Sequence, residues 1–152
     1  MISLIYRIKF LLAGKGELYS YLKNTLGFTP HGSRFYELAL THRSATFKTK
    51  ESRHNNNERL EFLGDAVIET VVSNILYHQY PTRDEGFLST MRSKLVERKN
   101  LGRLAKAINL DKYIKVDLKH PHQESRNSYI EGNAFEALVG AIYLDRGYKP
   151  CQ

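Results

Sequence analysis

The run from Asn57 to Gln79 constrains this chain more than any other stretch. On a helix of 3.6 residues per turn, Leu60, Leu63, Val67 and Val71 fall on one side. Glu58, Glu61, Asp65 and Glu69 fall in a narrow stripe on the other. The apolar positions from Leu60 to Leu76 predict the central helix of a core. Four aligned carboxylates repel one another, and a helix built only for packing scatters its acids or sets Lys and Arg four residues away. The one base nearby in sequence, Arg59, projects off the stripe. Spacing alone is compatible with a solvated acidic face and with a site that takes a cation from outside. Hard cations such as Mg²⁺ favour carboxylate oxygen.

Composition narrows the class. A chain of 152 residues, 41% hydrophobic and 26% charged, suits one domain with its own core. The single cysteine, Cys151, excludes an internal disulfide and fits a reducing compartment, so a cytoplasmic location is expected. No apolar run approaches the roughly 20 residues that span a bilayer, and Arg7 and Lys9 interrupt the apolar start, so no membrane partner is expected. The net charge of +7 is uneven: residues 1–56 carry +6, 57–100 carry −1 and 101–152 carry +2. A basic surface around an acidic middle suits a protein that draws a polyanion onto a metal site. Charge by itself favours the plainer reading of a basic soluble domain.

Taken in order, residues 16–26 predict a short amphipathic helix closed by Gly27, after an N-terminal extension at 1–15. Ser33 is placed to cap a second helix, 34–40. His42 reads as a structural hydrogen-bonding residue, since no Cys or second His lies at ligand spacing. Residues 45–56 form a polar, basic loop suited to phosphate contact. Asn57 is a candidate N-cap for the central helix, which Pro81 stops. Thr82 and Glu85 have capping-box spacing and open a helix with apolar Leu88, Met91 and Leu95 and a basic side that includes Arg98 and Lys99. A short helix at 101–108 follows, and residues 110–128 read as irregular, with His120 and His122 in a solvated loop. The last helix, Tyr129 to Asp145, ends at Gly147. It places Asn133, Glu136 and Gly140 on one side, with Ala137 and Ala141 beside them. Small residues let another helix approach, and a carboxylate in such a seam needs a partner. Nothing shows strand alternation or an internal repeat, so the expected class is all-α.

The segment Glu58-Arg59-Leu60-Glu61-Phe62-Leu63-Gly64-Asp65-Ala66-Val67 resembles the signature of the ribonuclease III family. The likeness continues in Leu40-Thr41-His42-Arg43-Ser44, in Asp84-Glu85-Gly86 and in the run Phe135 to Asp145. It is to the endonuclease domain of the simple bacterial type and covers most of residues 16–148. The resemblance implies an all-helical, homodimeric, double-stranded-RNA endonuclease that works with Mg²⁺, for which Mn²⁺ can substitute. It implies metal binding by Glu61, Asp65, Glu136 and Asn133, with Asp65 and Glu136 as the catalytic acids. Glu58 matches a further acid at the mouth, and Phe62 matches a subunit contact. Asn133 departs from the family's pattern, which has Asp there. The family usually continues into a double-stranded-RNA-binding domain, expected here beyond residue 152. Ribosomal-RNA precursors are the substrates the family suggests. A non-catalytic dimer that binds structured RNA is the alternative, and Asn133 is its support.

Overall fold

The structure, a computed structural model, describes residues 16–46, 54–117 and 124–152. The extension at 1–15, most of the basic loop at 45–56, and His120 and His122 lie outside the described residues. The chain divides into two units, Met1–Ser33 and Arg34–Gln152. In the first, residues 16–26 form a helix, α1. Gly27 ends it with φ +72°, its N–H donating to the Lys23 carbonyl at 3.2 Å. A residue with a Cβ is strained at that φ, which is why glycine terminates the helix.

The second unit holds α2 (Arg34–Ala39), α3 (Glu58–Gln79), α4 (Glu85–Leu95), α5 (Arg98–Ala107) and α6 (Glu124–Arg146). No strand occurs among the described residues; a single parallel bridge joins Thr41 to Lys115. The all-α expectation holds.

The centre of this unit is the packing of α3 on α6, and two glycines permit it. A Cβ on Gly64 would collide with the Glu136 carbonyl oxygen and lie 2.8 Å from the Gly140 nitrogen. A Cβ on Gly140 would collide with the Leu60 carbonyl oxygen. The two backbones therefore touch where each helix lacks a side chain. Val67, Ile68, Leu101 and Val139 form a buried cluster beside this contact, drawn from α3, α5 and α6. Gly132 repeats the device on α5, where a Cβ would sit 2.8 Å from the Arg98 carbonyl oxygen.

Several local expectations are corrected. Asn57 precedes α3 but makes no side-chain cap; Asn56 does this work, its Oδ1 accepting the Glu58 N–H at 3.0 Å. Thr82 does not cap the next helix. Asp84 does, accepting from the Phe87 N–H at 2.8 Å, so α4 starts at Glu85. The basic stretch expected as one helix with Leu88–Leu95 breaks at Val96–Glu97, and Arg98 opens α5. Residues 110–113 form a 3-10 turn, and α6 begins at Glu124 rather than Tyr129. Gly147 ends α6 as expected, at φ +81°, with its N–H on the Tyr143 carbonyl.

Candidate active site

Because α3 and α6 touch at Gly64 and Gly140, residues near this contact on both helices border one cleft. Glu61 and Asp65 flank Gly64 on α3; Asn133 and Glu136 precede Gly140 on α6. All four line one cleft of about 930 Å³, together with Glu58 and Phe62. The four-acid stripe does not act as a unit: Glu69 is exposed and is not part of the cleft wall.

Burial divides the acids. Glu136 is 4% exposed, and this desolvation, reinforced by the charges of Asp65 and Glu61, pushes its carboxyl up to about 7. Glu61, with 17% of its side chain exposed, is also raised, first by burial and then by Glu58 and Asp65, against the lowering effect of Arg98. The side-chain oxygen of Asn133 is buried without a hydrogen-bond partner among the described residues. Such an atom costs free energy unless something accepts its lone pairs.

The expectation that the acids lack cationic neighbours is corrected in part. Arg98, at the start of α5, reaches Glu61 at 3.6 Å, and Arg43 reaches Glu58 at 3.5 Å. Both arginines are more than half exposed, so each pair is weak. Neither Asp65 nor Glu136 has an ion pair among the described residues. Periodicity on α3 carried no sign of either arginine, because they arrive from other elements. Tyr129 also lines the cleft, without any signal in the sequence pattern. His42 lines it as well, but its local role is the structural one expected: Nδ1 lies 2.8 Å from the Ser44 hydroxyl and accepts the Ser44 N–H at 3.2 Å.

The donor set suits a hard divalent cation. It consists of oxygen, it is rich in negative charge, and it contains a buried oxygen without a partner. Among the described residues, no three His, Cys, Asp or Glu side chains converge tightly on one point. The carboxylates share the cleft without closing round a single position.

A helical unit whose two central helices bring carboxylates into one open cleft defines the class: an all-α protein with an acid-lined site whose oxygen donors suit a divalent cation. The profile of the ribonuclease-III-like family matches residues 33–152. A protein named Ribonuclease 3 from Phocaeicola vulgatus is 51% identical over 146 residues, covering 96% of this chain and 46% of that protein. One of the same name from Bacteroides fragilis is 47% identical, over 97% of this chain and 50% of that protein. The chain thus spans about half the length of these curated relatives. The solved nuclease domain of a ribonuclease III from Campylobacter jejuni, described for flexibility in a region involved in dimer formation, superposes with a TM-score of 0.74 at 34% identity, covering 86% of this chain and 88% of that one. A Dicer from Pichia stipitis superposes with a TM-score of 0.59 at 30% identity, over 78% of this chain and 48% of that one. The chain belongs to the ribonuclease-III-like family.

Proposed function

We propose that this chain is the catalytic part of an endonuclease that hydrolyses double-stranded RNA with Mg²⁺ or Mn²⁺. The observation that carries the reading is the meeting of Glu61, Asp65, Glu136 and the unpartnered Asn133 oxygen in one cleft. Glu61, Glu136 and Asn133 Oδ1 would hold the cation, and Asp65 would share its binding while orienting and deprotonating the attacking water. When bound, Mg²⁺ supplies Lewis-acid activation of water and offsets the charge that develops on the phosphodiester. Glu136 must shed its proton to serve, and the positive charge it faces then offsets the repulsion from Asp65 and Glu61. Rotation of Glu61 and Asp65, one turn apart on α3, is the movement that would close the set.

Products would carry 5′-phosphate and 3′-hydroxyl ends. Short 3′ overhangs follow if two protomers cut opposite strands. Phe62, 82% exposed beside the cleft, is the side chain we assign to the contact between protomers. We place the protein in the cytoplasm, with ribosomal-RNA precursors and messenger RNA as substrates. No helix among the described residues is long and apolar enough to cross a membrane. One observation favours a second reading. Asn133 leaves the donor set one charge short of the family pattern, which suits a dimer that binds structured RNA without cutting it.

Incubation of long duplex RNA with and without Mg²⁺, beside Glu136→Ala, separates the two. Cutting that needs the metal and disappears in the variant supports the nuclease. Binding without cutting supports the second reading.

A further inference from the structure

The cleft has a second wall that the metal chemistry does not use. It is the N-terminal end of α3, where Asn57 lies 1% exposed and its carboxamide nitrogen has no hydrogen-bond partner among the described residues. Asn57 lines the cleft, as does Arg43. The first turn of a 22-residue helix brings N–H groups and a partial positive charge to the same end. One anion already sits there. The exposed carboxylate of Glu58 accepts from Arg43 Nη1 at 3.5 Å through Oε1 and from Asn56 Nδ2 at 3.4 Å through Oε2. Both contacts are long, and the pair is exposed, so the cost of displacing Glu58 is small.

We infer that Asn57 and Arg43 form a binding subsite for a backbone phosphate, with the Glu58 carboxylate as its internal stand-in. Asn57 lies four residues, or about 6 Å of helix, before Glu61 at 1.5 Å per residue. That spacing suits a phosphate flanking the scissile one, not the one held over Glu61, Asp65 and Glu136. A phosphate oxygen would give the orphaned Asn57 amide the acceptor it lacks, and Arg43 would turn from Glu58 to the phosphate as a charge-assisted donor. The nearby acids oppose any anion, so the subsite gains strength when the cleft holds its cation. The role is one of positioning and affinity, and it rests on the proposed function.

The test uses the full chain and a fluorescently labelled RNA duplex. Cleavage kinetics are read with Mg²⁺ and equilibrium binding without it, each over a series of salt concentrations. Arg43→Gln and Asn57→Ala are expected to raise KM and Kd about tenfold while kcat stays within about twofold. The salt slope of binding should fall by about one for Arg43→Gln. Melting temperatures of both variants are expected within a few degrees of the parent. A purely structural Asn57 would instead lower the melting temperature and kcat together. If the parent cuts duplex RNA and both variants match its KM, Kd and salt slope, the subsite is refuted while the nuclease stands. If the parent binds duplex RNA without cutting it, the nuclease reading fails and the variants' Kd values still decide the subsite. A parent that does not bind duplex RNA at all overturns both.

Discussion

Replacing Glu136 by Gln should make the metal-free protein more stable, by an amount that depends on pH in a defined way. Glu136 is 4% exposed and its carboxyl is pushed up to about 7 by burial and by Asp65 and Glu61. In the unfolded chain the same group titrates at its ordinary value of 4.5. Between these limits the folded state holds a proton that the unfolded state has lost. Folding stability contributed by this group therefore falls as pH rises from about 4.5 to about 7, and is level outside that window. At about 1.36 kcal/mol per pH unit, a separation of about 2.5 units is worth at most about 3.4 kcal/mol. The Gln variant carries no such charge. Its advantage over the parent should be near zero at pH 4 and reach about 2–3 kcal/mol at pH 8. An amide that finds no acceptor in the seam lowers the whole curve by a constant and leaves its shape intact. The assay is urea unfolding followed by circular dichroism in EDTA, at one protein concentration, from pH 4 to pH 8.5. Added Mg²⁺ should then stabilise the parent above pH 7 and the variant much less, because only the parent offers the buried carboxylate. Parallel stability curves for parent and variant across the whole range would refute the reasoning. They would mean that Glu136 titrates as it does in the unfolded chain.

Three further outcomes follow from the geometry. Gly64→Ala should destabilise the chain by more than about 3 kcal/mol or prevent folding, read by denaturant titration, because its methyl group would enter the Glu136 carbonyl oxygen and the helices cannot part locally. Asn133→Asp, at a buried oxygen without a partner, should lower the Mg²⁺ concentration that gives half-maximal cleavage, by about fivefold or more for one added ligand charge; an unchanged Mg²⁺ dependence would count against ligation there. Phe62→Ala should shift the protein from dimer to monomer in sedimentation with little loss of fold, because a side chain 82% exposed adds little to the protomer's own packing.

The helices that matter most for the site were legible from residue order. Both α3 and α6 carry a strong local signal: α3 sets apolar positions at helical spacing opposite a stripe of acids, and α6 is an apolar, alanine-rich run with Asn133, Glu136 and Gly140 on one side. Their glycine or proline stops are backbone properties that need no distant partner. Helix starts were less legible. Asn56 rather than Asn57, and Asp84 rather than Thr82, supply the capping oxygen, because a cap depends on a dihedral angle that neighbours of similar chemistry compete to adopt. By itself, then, the order of residues settled the helical class, and through the family resemblance it singled out Glu61, Asp65 and Glu136 as candidates. Only the tertiary structure decided which of the aligned acids belong together. Helix periodicity treats Glu58, Glu61, Asp65 and Glu69 as equals, whereas the packing of α3 on α6 half-buries Glu61, puts Glu58, Glu61 and Asp65 in one cleft with Glu136, and leaves Glu69 outside it. The raised carboxyl of Glu136 and the approach of Arg98 and Arg43 follow from that same contact and from the elements around it. Desolvation and charge act through space, between groups that lie far apart along the chain.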